Sequence, residues 1–362
     1  MRLVKKSLLY TLLALVLYIG GFLLYGTLTD WQPEGTEPAL TVMPETPTTN
    51  LPDSLIRLVT WNVGYGGIGD EDFFFYNKGD FFWTKPGTVR MARPRVQSNV
   101  EGQGLTLRST LADIFLLQEV DTAARRSHYL NQWAGAREAR PAYYASFAPN
   151  FVSGRVPLPI FQPWDHYGDV VGGLVSLSRY PVSTAERIQL PGEHPWPTKL
   201  FQLDRCALRT VIPTATGKNL VVYNVHLSAY DKGGNMRRQQ LDAIRAAVLA
   251  DYERGDYAIV GGDWNQLPPG FNWFSLNPTV ERIEPPQRVG HDYLPAGWNY
   301  AYDAGVATVR ESAAPYNDHT TRKSLIDFFV TSPNLRLRAV KGINQRFKFS
   351  DHQPVYLEVE LL

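Results

Sequence analysis

The stretch AIVGGDWNQLP, residues 258–268, places two small polar side chains directly after an apolar run. The apolar run is typical of a buried strand, and two glycines end it. Asp263 and Asn265 then stand two residues apart, so both side chains point the same way from a rigid base. A carboxylate held there could take a proton from water, although Gly, Asp and Asn are also the usual residues of a turn. A catalytic site and a plain turn both remain open.

Further polar residues recur at or beside the ends of predicted strands. With Asp263 and Asn265 they form a set of nine that also contains Asn62, Glu119, Asn224, His226, Asp327, Asp351 and His352. Such side chains are costly inside a core, but they can converge at one rim of a sheet without being buried unpaired. Any one of them alone is more often structural than catalytic. Their shared position favours a common site.

The residue types in this set suit hydrolysis of a phosphate ester. A carboxylate such as Glu119 and an amide such as Asn62 provide the hard oxygen ligands that Mg²⁺ prefers. An ion bound there would polarise a phosphoryl oxygen. Cys206 is the single cysteine, so a zinc cluster of thiolates and a disulfide framework are both excluded. We therefore expect Mg²⁺, with Mn²⁺ as the alternative ion.

The remaining polar residues suit proton transfer and charge stabilisation. Asp263 could deprotonate an attacking water that Asn265 orients. His226 and His352 could donate hydrogen bonds to the non-bridging phosphate oxygens in the transition state. Asp327 could fix a histidine tautomer and raise its basicity. Because no nucleophile elbow or P-loop is present, we expect direct attack by water.

Strands and helices must position these residues. Alternating or apolar runs predict strands, and a capped amphipathic pattern predicts a helix that starts at Asn235 and ends before Gly255; a second helix is predicted over 104–112. The predicted strands cover residues 56–63, 113–120, 173–182, 203–212, 220–227, 258–260 and 324–332, with a last strand after 352. Hairpins mixed with crossovers predict a single α/β domain over residues 54–362 rather than a purely parallel sheet.

Residues 70–100 fit neither period and contain aromatic clusters beside basic residues. We interpret them as an insertion loop. It is either a packed Ω-loop or a surface that faces substrate or membrane, and the sequence does not decide between the two.

The amino terminus carries an uncharged apolar run over residues 8–28. About 20 helical residues span a bilayer core, and the run exceeds the roughly 7- to 15-residue apolar core of a signal peptide. Arg2, Lys5 and Lys6 precede it, whereas acidic residues follow. Residues 1–29 are therefore predicted to be a cytoplasmic basic tip and a single-pass signal anchor, with the catalytic domain outside the cytoplasm. A cleaved signal peptide is the competing interpretation.

Residues 30–53 are rich in Pro and Thr, which predicts an extended tether that does not pack. The full chain carries 36 basic and 35 acidic residues, a net charge of +1. This balance excludes a bulk basic field for gripping a polynucleotide, although a local patch remains possible.

Six short segments resemble the ordered motifs of the endonuclease/exonuclease/phosphatase superfamily, the DNase I-like phosphoesterases. They are TWN at 60–62, LLQEV at 116–120, NVHL at 224–227, GGDWN at 261–265, SLID at 324–327 and SDH at 350–352. The superfamily includes DNase I-like nucleases, abasic-site endonucleases, inositol polyphosphate 5-phosphatases and bacterial sphingomyelinases. The resemblance spans residues 56–362 and implies a four-layer α/β sandwich, two mixed β-sheets flanked by helices.

The resemblance also implies roles for the site residues. Glu119 and Asn62 would hold the metal, with Asp351 as a further ligand. Asp263 and Asn265 would handle the water. The two histidines, 226 and 352, would contact the phosphate, and Asp327 would support a histidine.

Three functions compete at this point. The leading hypothesis is a membrane-anchored, Mg²⁺-dependent phosphodiesterase or phosphatase that acts outside the cytoplasm on a phospholipid headgroup. The second is an extracytoplasmic nuclease with a nucleic-acid substrate. The third is a binding module on an inactive scaffold, which has no need to retain the complete set of acid, amide and histidine residues. In each case we expect a monomer.

Overall fold

The computed structural model describes residues 2–362 apart from 53, 86–88, 163, 230, 232 and 279–283. Within these residues the α-helices are α1 (Arg2–Leu28), α2 (Arg93–Ser109), α3 (Gln132–Ala139) and α4 (Asn235–Glu253). The strands are β1 (Thr36–Pro38), β2 (Leu40–Val42), β3 (Leu55–Asn62), β4 (Ile114–Ala124), β5 (Tyr144–Val156), β6 (Gly168–Ser178), β7 (Thr184–Gln189), β8 (Cys206–Pro213), β9 (Asn219–His226), β10 (Tyr257–Asp263), β11 (Asn299–Ala301), β12 (Val309–Arg310), β13 (Lys323–Ser324), β14 (Asp327–Thr331), β15 (Leu335–Gly342) and β16 (Val355–Leu361).

Two seven-stranded mixed sheets form the centre of the fold. The first sheet has the order β1-β7-β8-β9-β10-β14-β11, and the second has the order β15-β16-β3-β4-β6-β5-β2. Each sheet contains one parallel pair, β9 with β10 and β3 with β4. The other neighbours are joined by hairpin-like antiparallel pairs, such as β8 with β9. The mixture of hairpins and crossovers predicted from the sequence is thus present in both sheets.

Apolar layers separate the two sheets from each other and from the helices. Leu58, Leu116, Val222 and Ile259, two from each sheet, belong to the layer between the sheets. Because side chains alternate along a strand, their neighbours such as Val260 face outward and pack beneath α4, and others pack beneath α3. Burial on both faces explains why these strands are continuous apolar runs. The predicted four-layer α/β sandwich is confirmed.

The prediction of an unpacked tether over 30–53 is wrong for residues 36–42. β1 pairs with β7 and β2 pairs with β5, so these two short strands form an edge of each sheet. An edge strand tolerates proline because one row of its N–H groups does not take part in the ladder. Pro38 is therefore compatible with pairing, and proline content alone misled the sequence interpretation. Residue 53 lies outside the described residues.

The predicted insertion over 70–100 is shorter than expected, because α2 begins at Arg93. The helix predicted over 104–112 overlaps the last part of α2, which ends at Ser109. The buried face of α2 carries polar residues, and one of them, Gln103, donates to the carbonyl oxygens of Val63 and Phe349 at 2.7 and 2.8 Å. Polar side chains that bond to buried loops break the apolar period, so the helix start was missed.

The remainder of the insertion is buried in part and exposed in part. Phe75 is buried in a cluster that includes Tyr65 and Tyr167. Phe82 and Trp83 are each 58% exposed. Residues 86–88 lie outside the described part of the chain. The insertion is therefore a packed loop at its start and an aromatic surface further on.

Several strand boundaries also differ from those predicted. The strand predicted over 173–182 is β6, which ends at Ser178. The strand predicted over 324–332 is split into β13 and β14. The hydroxyl oxygen of Thr308 accepts hydrogen bonds from the backbone N–H groups of Ile326 and Asp327, both at 3.0 Å, where the split lies. The split places Asp327 at the start of β14.

Gly262 is a stability-critical position beside Asp263. Its φ is +152°, and a Cβ there would lie 2.0 Å from the carbonyl oxygen of Val225 in the neighbouring strand. Gly262→Ala is expected to lower the free energy of unfolding by about 1–3 kcal/mol, because overpacking forces the backbone to shift. Denaturant unfolding of the full chain measures this change. Gly135→Ala is the matched control, since a Cβ on Gly135 meets nothing within 4 Å; an equal loss in both variants would contradict the packing argument.

Candidate active site

The register of the first sheet brings three predicted site residues into one row. Asp263 ends β10 opposite His226, which ends β9, and opposite Asp327, which starts β14. The distance from Nε2 of His226 to Oδ2 of Asp263 is 3.5 Å. Parallel β9 and β10 end at the same edge, and antiparallel β14 starts there, so strand pairing alone assembles this row.

The second sheet contributes Asn62 and Glu119 at the facing rim. Asn62 ends β3, and its Nδ2 donates to Oε1 of Glu119 at 3.0 Å and to Oδ2 of Asp263 at 3.1 Å. Its Oδ1 accepts from the backbone N–H of Gly64 at 3.0 Å. The Asn62 amide therefore joins the rims of the two sheets.

Glu119 lies at an irregularity in β4. The pairing of β4 with β6 shifts register between Leu117 and Val120, and Glu119 has a φ of +56°. A bulge of this kind re-aims a side chain, and a positive φ in a non-glycine residue is a strained conformation that recurs at functional sites. The bulge directs the Glu119 carboxylate toward Asn62 instead of along the regular face of the strand.

His352 and Asp327 form a buried pair beside Asp263. Nδ1 of His352 lies 2.9 Å from Oδ2 of Asp327, and its Nε2 lies 3.8 Å from Oδ2 of Asp263. Burial opposes protonation of His352, but the Asp327 carboxylate outweighs it and raises the His352 pKa to about 10. At neutral pH this imidazole is a cation that can donate a hydrogen bond toward the cavity.

His226 has the opposite electrostatic character. Burial, with the charge of Arg205 as a smaller cause, holds its pKa well below the ordinary value, so the ring is neutral at pH 7. Its Nδ1 is buried and has no hydrogen-bond partner among the described residues. One histidine is therefore charged and one neutral, although both were predicted to play the same part.

Asp263 is held by both neighbouring motifs. The backbone N–H of Asn265 donates to its Oδ1 at 2.9 Å, while Asn62 occupies its Oδ2. Burial and the nearby Asp327 carboxylate raise the Asp263 pKa to about 7. The side-chain amide of Asn265 donates to the carbonyl oxygen of Leu227 at 2.9 Å, with the residue at a φ of +49°. Asn265 thus fixes the orientation of the Asp263 carboxylate.

A cavity of about 800 Å³ opens onto these groups. Glu119, His226, Asp263, Asn265 and His352 line it, as does Asp351. Burial raises the Asp351 pKa, and the negative charge of Glu119 raises it further. Asn62 and Asp327 support the lining residues from behind. Asn224 does not take part, because its amide donates to the carbonyl oxygens of Leu117 and Val175 between the sheets.

Comparison with known proteins decides the family. The model of the endonuclease/exonuclease/phosphatase family matches residues 59–352 of the 362-residue chain. The chain belongs to this family. It is accordingly a metal-dependent phosphoester hydrolase.

Solved structures of the endonuclease/exonuclease/phosphatase fold resemble the chain over most of its length. A protein of this family from Beutenbergia cavernae is 19% identical, with 85% of this chain and 72% of that chain covered and a TM-score of 0.50. TDP2 from Caenorhabditis elegans is 14% identical, with 86% and 76% covered and a TM-score of 0.52. ANGEL2, a 2′,3′-cyclic phosphatase, is 13% identical, with 90% and 99% covered and a TM-score of 0.52. No curated protein sequence matches the chain. At these identities the likeness establishes the fold alone.

The donor set in the cavity fits the divalent metal that the endonuclease/exonuclease/phosphatase family requires. Glu119, Asp263 and Asp351 bring three carboxylates to one cavity. Among the described residues, the Glu119 carboxylate has only the neutral His226 as an ion-pair neighbour, at 3.9 Å. Negative charge concentrated around Glu119 is costly, and a hard cation relieves that cost. The oxygen of Asn62 faces Gly64 in this arrangement, so its use as a ligand requires the amide to rotate.

Asp263 also belongs to a second group of possible metal ligands. Ligand atoms of Asp263, Asp327 and His352 lie within 4.8 Å of one another. Within the trio, Nδ1 of His352 is hydrogen-bonded to Oδ2 of Asp327 at 2.9 Å.

Several contributing residues were not singled out from the sequence. The hydroxyl of Ser350 donates to the carbonyl oxygen of Asn62 at 2.8 Å, and Nε1 of Trp61 donates to the carbonyl oxygen of His352 at 3.1 Å. Both lie inside the TWN and SDH motifs, so motif position could have indicated them. Tyr65 and Arg126 also line the cavity, with the guanidinium 4.1 Å from the ring centroid. Nothing in their sequence surroundings signalled that contact.

Proposed function

We propose that the chain is a membrane-anchored, Mg²⁺-dependent phosphodiesterase or phosphatase that acts on phospholipid headgroups outside the cytoplasm. The observation that carries this proposal is the extent of the cavity. It runs from Asp263 and His352 to Trp31 and Pro33, which follow the apolar helix α1 by a few residues. A substrate in this cavity would reach from the catalytic groups to the surface of the membrane.

The proposed chemistry is hydrolysis by water. When bound, the metal polarises a phosphoryl oxygen and offsets the developing negative charge. Glu119 and Asp351 would hold it, with the oxygen of Asn62 as a further ligand once the amide has rotated. The Asp263 carboxylate accepts a proton from the attacking water, and Asn265 fixes the orientation of that carboxylate.

Two histidines stabilise the phosphate in this proposal. His352, charged through its contact with Asp327, donates from Nε2 to a non-bridging oxygen. Neutral His226 donates a single hydrogen bond to a phosphate oxygen, and its Nε2 faces Asp263. Asp327 is a positioning residue, since it touches the histidine and not the substrate.

Membrane anchoring is supported by helix α1. Residues Leu3–Leu28 are long and apolar enough to cross a bilayer, although a signal sequence passes the same test. Basic residues at its start and acidic residues after its end favour a cytoplasmic amino terminus. An extracytoplasmic catalytic domain, acting as a monomer, is part of the proposal.

A substrate panel tests this function. The purified full chain is assayed with Mg²⁺, with Mn²⁺ and with EDTA, on sphingomyelin and phosphoinositide vesicles and on plasmid and single-stranded DNA. The expected result is lipid hydrolysis that EDTA abolishes. Metal-dependent DNA nicking with inert lipids would overturn the lipid assignment and establish an anchored nuclease. Absence of any metal-dependent hydrolysis would overturn the catalytic proposal itself.

A further inference from the structure

An exposed aromatic patch consists of Phe82, Trp83, Phe161 and Trp164, with Ile160 beside them. The four aromatic side chains are 58% to 65% exposed. Ring centroids lie 5.8 Å apart for Phe82 and Phe161, and 5.9 Å apart for Trp83 and Trp164. A contiguous apolar patch of this kind on a folded domain marks an interaction surface.

The backbone holds the patch in a defined shape. The N–H of Ile160 donates to the carbonyl oxygen of Phe81 at 2.9 Å, and the N–H of Phe161 donates to that of Phe82 at 3.0 Å. Two backbone hydrogen bonds therefore hold the two chain segments side by side, and their aromatic rings lie in pairs. The rings are preorganised and do not need to be ordered on binding, which lowers the entropic cost.

A short stretch of chain connects the patch to a residue that contacts the last turn of α1. A Cβ on Gly154 of β5 would stand 3.8 Å from the hydroxyl of Tyr25, in the last turn of α1. Ile160 follows Gly154 by six residues, which span at most about 20 Å of chain. A second contact, from Nε1 of Trp196 to Oγ1 of Thr27 at 3.1 Å, fixes the end of the helix on the same domain.

The patch also adjoins the wall of the catalytic cavity. Phe74, Tyr76 and Leu158 line the cavity, and the rings of Tyr76 and Phe81 lie 4.5 Å apart. Residues 30–33 line it near the end of α1. The helix end and the aromatic patch are thus both connected to the same cavity.

We propose that the aromatic patch docks on the lipid surface of the membrane that α1 enters, so that the cavity takes its phosphoester from that bilayer. Trp and Phe side chains suit the boundary between headgroups and acyl chains. Two arginine side chains also flank the patch. Arg90 approaches Asp165 at 4.0 Å, and Arg125 donates to the carbonyl oxygen of Trp164 at 3.4 Å. The docking surface rests on the proposed anchoring, and the supply of the phosphoester from the bilayer rests on the proposed lipid substrate.

Site-specific fluorescence tests the docking surface without any assay of activity. Cys206 is the single cysteine, is fully buried, and burial raises its thiol pKa to about 12, so it reacts little with a labelling reagent. Phe161→Cys and Leu111→Cys are labelled with a polarity-sensitive dye in the full chain, in nanodiscs whose lipids carry a nitroxide near the headgroup. Leu111 is 73% exposed and precedes β4 at the edge away from Glu119, which makes it the matched control.

The expected result is blue-shifted emission at position 161, with quenching at least about threefold stronger than at position 111, since docked side chains enter the boundary by about 5–10 Å. Equal, water-like emission at both positions would overturn the docking surface. Protection at 161 only when two chains share a nanodisc would overturn it in favour of self-association.

A functional readout separates docking from catalysis. The double variant Phe161→Asp, Trp164→Asp is assayed on vesicle lipid and on the soluble diester bis(p-nitrophenyl) phosphate. The ratio of lipid hydrolysis to hydrolysis of the soluble diester is expected to fall at least about tenfold, because the lost burial of two rings weakens membrane contact. Leu111→Asp is expected to leave that ratio unchanged. An unchanged ratio in the double variant would contradict docking. DNA cleavage with inert lipids would rule out the lipid substrate, and the fluorescence result alone would then test the docking surface.

Discussion

Replacing His352 with alanine is expected to lower kcat by about 10²- to 10⁴-fold, the usual contribution of a proton donor or charge-stabilising group in an active site. The expectation rests on the position of the ring, which contacts Asp327 through Nδ1 and turns Nε2 toward the cavity and Asp263. Because the pKa of His352 is raised to about 10, the protonated donor is the dominant form throughout neutral pH. Steady-state kinetics at saturating metal, with a soluble phosphodiester, measure the loss.

Asp327→Asn tests whether the histidine acts through its partner. The exchange removes the charge that raises the His352 pKa, so kcat should fall as it does in His352→Ala. The double variant Asp327→Asn, His352→Ala should have a kcat only slightly lower than that of His352→Ala alone. His291→Ala is the matched control, since His291 is exposed and lies outside the cavity. Near-normal kcat in His352→Ala, with its melting temperature unchanged, would remove His352 from the chemistry.

The rim that carries the site could be predicted because strand ends are visible in the sequence. Asp263 comes two glycines after the apolar run 258–260, and His226 ends the largely apolar stretch 220–226, so their positions relative to the strands were clear. Once parallel β9 and β10 are adjacent, their ends must coincide. The sequence motifs indicate the order of the site residues along the chain, and the pairing of the strands brings those residues close together.

The charge states of the histidines could not be predicted, because they depend on the third dimension. His352 faces the buried carboxylate of Asp327, which is 25 residues away in the sequence. His226 faces the positive charge of Arg205 and has a partnerless Nδ1 within the described part of the chain. The two residue types are identical, and only their surroundings separate a cation from a neutral ring.

Elements whose inward face is polar were the least predictable. The beginning of α2 was missed because Asn99 and Gln103 are buried through hydrogen bonds to loop backbone, not through apolar packing. The edge strands β1 and β2 were missed because proline and threonine suggest a tether when the partner strands are unknown. In both cases tertiary hydrogen bonds outweigh the local pattern.

Glu119→Gln is expected to weaken binding of Mg²⁺ or Mn²⁺ by at least about 10- to 100-fold, the range found when even an indirect supporter of a metal ligand is removed. The strained φ of +56° and the β4 bulge serve to aim this carboxylate at the cavity. An uncharged amide of the same shape keeps the packing but gives up the charge that a hard cation prefers. Calorimetric titration of the full chain with each ion measures the affinity directly, whatever the substrate.

The matched control for this variant is Glu360→Gln, because Glu360 pairs with Arg336 at 3.2 Å and lies opposite Leu55, at the other end of β3 from Asn62. It should bind metal as the unmodified chain does. Activity of Glu119→Gln should recover in part at high metal concentration, since the Asp263 and His352 groups remain in place. If Glu119→Gln bound Mg²⁺ normally while Asp327→Asn lost it, the cation would belong to the trio of Asp263, Asp327 and His352. The bulge at Glu119 would then require a different explanation, as an acceptor for the Asn62 amide that holds the two sheet rims together.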